Sequence, residues 1–335
     1  FRQREKTLDS IVLPVAVIMH PGSQATTMRR QKRLNGSSIS AAIVLLLVSQ
    51  TAISQDIEPR RWTPLPVGTN VVGVGYIHTD GEIFFDPVLK IEDATYNTKA
   101  TIFSFLHAFD FLGKSARFDV RVPHKSTRWT GLLDGVPAST GRTGLGDPRL
   151  RLSVNFLGAP ALGPQELRAY RAARPISTVA GAAVAITLPL GDYETDKLLN
   201  LGHNRFAIRP QLGVVHTRGP WSYELTGSVF FYTANNEFVG TTREQDPLLT
   251  VQSHLIYNSP RGWWTSISAA YDVGGESRID GVRRDDRRRE LLFGISTGFA
   301  VNRHSSLKLA YVGSRTREDL GSDTDNLALA LAVRF

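Results

Sequence analysis

Toward the C-terminus, every second residue is large and apolar. Leu327, Leu329, Leu331, Val333 and Phe335 share one parity, and Ala328, Ala330, Ala332 and Arg334 share the other. Successive side chains of a strand point to opposite faces, so this segment has one greasy face and one small or polar face. The alternation recurs upstream. Leu150, Leu152, Val154 and Phe156 alternate with Arg149, Arg151, Ser153 and Asn155. Trp221, Tyr223, Leu225, Val229 and Phe231 alternate with Ser222, Glu224, Thr226 and Ser228. Leu291, Phe293, Ile295, Phe299 and Val301 alternate with Leu292, Gly294, Ser296, Gly298 and Asn302. Less regular stretches run near 71–78, 98–109, 117–129, 178–190, 204–216, 248–257, 263–273 and 306–312. Together they predict about 12 strands of membrane-crossing length.

The connections fit the same picture. Short turns at 113–114, 218–220, 259–262 and 302–304 alternate with long polar stretches at 79–94, 130–143, 192–203, 234–246, 274–288 and 315–324. Such asymmetry is expected of periplasmic turns and external loops. The stretch 158–175 is long where a short turn is due: either it holds a short helix over 165–173, or the strand count is wrong there. Trp129, Trp221, Tyr223, Tyr257, Trp263, Tyr271, Tyr311 and Phe335 fall near predicted strand ends, where aromatic girdles are expected. The fold expected is all-β: a transmembrane antiparallel β-barrel over 67–335, with both termini periplasmic. Only 41% of the 335 residues are hydrophobic, too few for a bundle of membrane helices but suited to strands in which alternate residues meet lipid.

Residues 28–54 look like a cleaved leader. Arg29, Arg30, Lys32 and Arg33 form a charged start, 41–48 an apolar core, and Ala52-Ile53-Ser54 a small-residue site, which predicts cleavage between Ser54 and Gln55. Residues 1–27, ahead of Met28, are expected to be a non-native upstream extension, and 55–66 a periplasmic N-terminal segment. A leader followed by a barrel implies the outer membrane of a Gram-negative cell. The absence of cysteine suits an oxidising periplasm and excludes thiolate metal sites and cysteine nucleophiles. A terminal aromatic residue, with Leu327, Leu329, Leu331 and Val333 alternating back from Phe335, resembles the assembly signal of outer-membrane barrels. It implies the barrel-assembly machinery as a partner.

Three stretches carry a more specific likeness: Gly144-Leu145-Gly146-Asp147-Pro148, Leu188-Pro189-Leu190-Gly191-Asp192-Tyr193, and Asp196 to Gly202 with Asn204-Arg205-Phe206. They resemble the outer-membrane transporter family named for the meta-pathway of phenol degradation. The resemblance implies a porin-like barrel and passage of aromatic or other poorly soluble small molecules. On residue chemistry alone, glycine and proline here serve turns and bends. The 196–202 stretch is expected as an external loop that folds back and narrows the mouth.

Charge adds candidate chemistry. The formal net charge is +8, but no nucleic-acid motif accompanies it, and nucleic acid is not an expected partner. The predicted inward residues Asp119, Arg121, Arg149, Arg151, Arg209, Glu224, His254, Lys308 and Arg334 mark a solute path. Two arrangements are open: an electropositive lumen selecting anionic solutes, or a salt-bridged plug. Arg283, Arg284, Arg287, Arg288 and Arg289 lie on a predicted external loop, where forked guanidinium groups suit lipopolysaccharide phosphate. Outer-membrane lipid, lipopolysaccharide and a small-molecule solute are therefore the expected partners. No cofactor, metal spacing or nucleophile-elbow motif is apparent. Ser253 directly precedes His254 and faces away from it, so the two cannot form a dyad. The function expected is a channel or transporter for small, aromatic or anionic solutes, not an enzyme. A non-conducting structural or lipopolysaccharide-binding barrel is the alternative, and a barrel-embedded hydrolase the remoter one.

Overall fold

The computed structural model describes residues 6–7, 57–85 and 90–335. The leader at 28–54, with Ser54 and Gln55, and the rest of the upstream extension lie outside the described residues. Twelve staves close into one antiparallel barrel. In chain order they are Asn70–Phe84, Ile91–Phe111, Lys114–Leu133, a split stave made of Val136–Leu145 and Arg149–Leu157, Ile176–Thr187, Ala207–Arg218, Trp221–Tyr232, Leu248–Asn258, Trp263–Gly274, Arg288–Ala300, Ser305–Thr316 and Gly321–Arg334. The last stave pairs with the first from Arg334↔Val71 to Gly321↔Phe84. The amides of Asn70 and Phe335 each donate to the other's carbonyl at 3.0 Å. Across the membrane-crossing part every stave is paired on both sides, as hydrocarbon requires. Residues 6–7 lie parallel to Ala138 and Ser139 at one rim.

The alternation read from sequence is the alternation of faces. Phe103, Leu212 and Ile267 are 56%, 65% and 66% exposed on the outside, with Val74, Leu152, Tyr223, Leu255, Ile295 and Leu329 likewise exposed. A belt of apolar side chains this continuous far exceeds the patches of soluble monomers and marks a surface that meets lipid. Leu327, Leu329, Leu331, Val333 and Phe335 all belong to it. The inward parity holds Ser153, Asn155, Ser222, Glu224, Thr226 and Ser228, all buried.

Several expectations are corrected. The stretches 79–94 and 130–143 are largely strand: Ile91–Phe111 and Lys114–Leu133 have 21 and 20 residues, about twice what crosses a bilayer. Beyond the lipid, the outer face carries polar residues, so the hydrophobic alternation fades while the hydrogen-bond ladder continues. Asp134 and Gly135, at φ 52° and 72°, make the tight turn between two of these staves. The expected loops at 234–246 and 274–288 instead contribute Asn235–Phe238, Thr241–Gln245, Ser277–Ile279 and Val282–Arg283 to a second, four-stranded sheet. Its core is Phe238 and Ile279, packed against Leu198 and Val239. Trp129 is not a girdle residue: it points inward and packs with Ile83, Ile91, Ala94, Leu199 and Leu201. Trp221, Tyr257 and Trp263 do cluster at the short-turn end, with successive ring centroids 5.0 and 5.6 Å apart.

The long connection after Leu157 holds the expected helix, Pro164–Ala172, with proline in its first turn and Leu167 buried. It sits at the short-turn end. There Val67 N donates to Leu162 O and Arg171 Nη2 to Pro64 O, at 2.9 and 2.6 Å. The connection is long because it braces the chain that enters the barrel.

Candidate functional site

The inward residues cluster around that entering chain. Of the stretch 55–66, expected as a periplasmic segment, Ile57, Glu58, Arg61 and Trp62 contact bore-facing side chains. Glu58 lies 2.8 Å from Arg121 and 2.9 Å from Arg149, and also pairs with Arg151. Arg151 Nη2 in turn meets Asp119 at 3.0 Å, and Arg61 lies 3.9 Å from Asp119. Glu224 accepts the backbone amides of Arg61 at 2.9 Å and Trp62 at 3.3 Å. Deeper in the bore, Ile57 packs on Ala270, Leu292 and Val312.

Trp62 is the anchor and is fully buried. Its Nε1 donates to Thr226 Oγ1 at 2.8 Å, and Asn155 Nδ2 donates to its carbonyl at 3.3 Å. The indole lies across Gly181 and Gly213, which are cross-strand partners. A Cβ on Gly181 would stand 2.5 Å from Trp62 Cε3, and one on Gly213 would overlap the indole nitrogen. The wall is thus slotted for this ring, with Ala159, Val179, Ala183 and Val215 around it. Burial alone would raise the Glu58 carboxyl, but Arg121 and Arg151 outweigh it and hold the group well below the usual carboxylate range. A carboxylate so paired stays ionised in mild acid.

Five of the residues singled out from sequence, Asp119, Arg121, Arg149, Arg151 and Glu224, therefore meet in one place. They form a paired network around a plug rather than a ring of bare charge. Arg209 stands elsewhere on the wall, its Nε 3.0 Å from Ser228 Oγ and its guanidinium 4.4 Å above Phe230. Lys308 is half-buried and faces the bore. Arg334 does not line the bore: it is exposed at the short-turn rim, donating to Arg303 O at 2.9 Å. His254 Nδ1 lies 2.8 Å from Ser268 Oγ, one stave over, while its Nε2 has no partner among the described residues. A relay needs a carboxylate at that nitrogen, and the nearby Glu224 is engaged by the plug amides. Of the arginine run, Arg283 pairs with Glu276 at 2.7 Å and Arg289 with Glu318 at 3.0 Å. Arg284 is half-buried and Arg287 is exposed. Arg288, on the parity of buried Glu290 and Leu292, faces inward.

Sequence reasoning missed Glu58, Arg61 and Trp62. A signal was present: two glycines facing each other mid-strand on the inner face leave room that something must fill.

At the opposite mouth, the three motif stretches interlock. Asp147 accepts the amides of Gly191 at 3.0 Å and His203 at 2.8 Å, and its carboxylate lies 2.6 Å from His203 Nδ1. A Cβ at Gly191 would fall 2.7 Å from the Gly146 carbonyl carbon, and one at Gly202 2.8 Å from Gly191 O. The glycines are there because three backbones touch. Leu199 and Leu201 then reach Trp129, so this loop folds inward. Burial pushes the His203 imidazole down to about 4, against the pull of Asp147. Burial would raise Asp147, but the hydrogen bond and charge of His203 and the two amides hold it below its ordinary value. At neutral pH the lock is a neutral imidazole donating to a carboxylate. Between pH 6.5 and about 4 the unfolded chain binds the proton that the lock refuses. The lock should therefore weaken as pH falls through that window, by up to roughly 3 kcal/mol, and change little from His203 below it. Amide exchange across 188–206, corrected for intrinsic rates, should lose protection between pH 7 and 4; constant protection would contradict this.

A closed twelve-stave barrel with an apolar belt and a polar, occupied bore is an outer-membrane β-barrel. A family model described as "Putative MetA-pathway of phenol degradation" matches residues 81–323, and the chain belongs to that family. Among solved structures, it is similar to the COG4313 outer membrane channel from Pseudomonas putida F1: 22% identity, 84% of this chain and 100% of that one covered, TM-score 0.68. The transport unit of the autotransporter AIDA-I from Escherichia coli follows at 10% identity, 91% and 100% coverage and TM-score 0.50. At these identities the likeness is one of fold. No curated protein matches the chain.

Proposed function

We propose that the protein is a channel for small solutes across the outer membrane, with the short-turn end periplasmic and the N-terminal segment as a plug that narrows the bore. The observation that carries this reading is the nature of the filling. A purely structural barrel of this size can fill itself with its own strand side chains. Here the bore keeps glycines at 181 and 213 and is filled by residues 57–66, which belong to none of its staves and meet the wall through side-chain contacts. A filling held that way can shift. The family description points to aromatic compounds, and the inward arginines to solutes bearing negative charge.

On the same reading, the belt meets outer-membrane lipid, Arg287 faces lipopolysaccharide phosphate, and the Gly321–Arg334 stave is what the barrel-assembly machinery receives. The test is swelling of proteoliposomes. Benzoate should enter faster than into protein-free vesicles, and a disaccharide should not. Equal rates with and without protein would favour a non-conducting structural barrel.

A further inference from the structure

Above the plug, toward the mouth with the second sheet, the bore holds cations whose donors are left over. Arg205 and Arg243 are 3% and 4% exposed. Arg205 Nη1, and Nε and Nη1 of Arg243, are buried without a hydrogen-bond partner among the described residues. Each guanidinium lies over an aromatic ring, Arg205 over Tyr232 at 4.6 Å and Arg243 over Phe238 at 5.2 Å. Ring stacking fixes the flat faces and leaves the N–H edges for something else. Arg205 uses one edge on Gln245 Oε1. Asp286, the carboxylate whose field reaches Arg243, is itself bound by the amide and hydroxyl of Ser277 at 2.6 and 2.5 Å. Arg288, at the start of the Arg288–Ala300 stave, adds its charge to the same space, and that charge also bears on buried Glu290. Burial and then the charge of Arg243 push Arg205 down to about 9, so the cations repel one another as they stand. Buried charge of one sign is costly until an opposite charge joins it.

We propose that Arg205, Arg243 and Arg288 form a binding site for a carboxylate at the outer end of the bore, used by an anionic solute on its way through. The site deepens the channel reading and rests on it for its purpose, although the binding itself does not require flux. A planar carboxylate suits two guanidinium edges held by stacked rings, because each fork can offer it parallel N–H donors. This site is separate from the Glu58 network, whose arginines already have their carboxylates.

The test is calorimetric titration of benzoate into the full chain in zwitterionic detergent, at fixed ionic strength, for the intact protein and for Arg243→Gln and Arg205→Gln. Heat-dependent gel mobility confirms folding of each, and Arg288→Gln stands in if one of them fails to fold. Benzyl alcohol and inorganic phosphate serve as comparison probes. Expected are saturable benzoate binding, at least a tenfold loss in each glutamine variant, and no binding of benzyl alcohol. Binding unchanged in the folded variants, or equal heats from benzyl alcohol, would overturn the site. Phosphate binding as tight as benzoate would overturn the carboxylate assignment. Benzoate binding without vesicle swelling would instead count against the channel reading and leave the site standing.

Discussion

Gly213→Val should raise single-channel conductance in planar bilayers several-fold. The added side chain falls where Trp62 Nε1 now sits. The indole must leave the slot formed with Gly181, and with it go the Thr226 hydrogen bond and the apolar seat made by Val179, Ala183 and Val215. Losing a fully buried tryptophan from its seat is worth about 3–5 kcal/mol. What else fixes residues 57–63 is the seat of Ile57 on Ala270, Leu292 and Val312, with ion pairs and hydrogen bonds that water can replace. The substitution lies on the wall, not on the plug, and valine suits a strand. The barrel should therefore still fold and keep its heat-dependent mobility. Trp62→Ala should act in the same direction. Conductance unchanged in both variants would mean that the segment does not limit the path.

Glu58→Gln should act through charge. Glu58 is the carboxylate shared by Arg121, Arg149 and Arg151. Glutamine keeps the shape and removes the charge, leaving Asp119 as the carboxylate paired with Arg151. Removing one partner of a buried ion network costs about 3–5 kcal/mol, because the opposite charges stay behind. The plug should loosen, and the reversal potential under a salt gradient should move toward anion selectivity. Adding Arg149→Gln and Arg151→Gln should move it back. A reversal potential indifferent to both changes would sink the idea that this network faces the solute path. In acid, the Glu58 ion pairs should persist to well below pH 4.5, while what they add to stability declines progressively from about that pH down to the lowered value at which Glu58 titrates in the folded chain.

The wall of this protein was readable because lipid imposes a strict rule on it. Leu150, Leu152 and Phe156 had to alternate with Arg151, Ser153 and Asn155, whatever the bore contained. The same rule fixed which side Glu224 and Arg209 face. It falls silent where lipid ends, so the extended hairpins around Asp134-Gly135 and the second sheet read as loops. It is silent about the filling too. Trp62 and Glu58 sit in a stretch without periodicity, and their partners lie up to 164 positions away. Trp129 was misplaced for a related reason: near a strand end, a tryptophan that meets headgroups and one that meets an inward loop look alike until the Leu199–Leu201 turn is seen beside it. Arg334 has the inward parity, but lies too close to the rim for parity to decide its surroundings.

Whether residues 57–66 plug the bore is tested by the conductance of a chain lacking them, refolded and reconstituted beside the intact protein in the same bilayer. A folded barrel with larger, steadier unit currents is expected. Unit currents identical to those of the intact chain, from a barrel shown to be folded by its heat-dependent mobility, would contradict it.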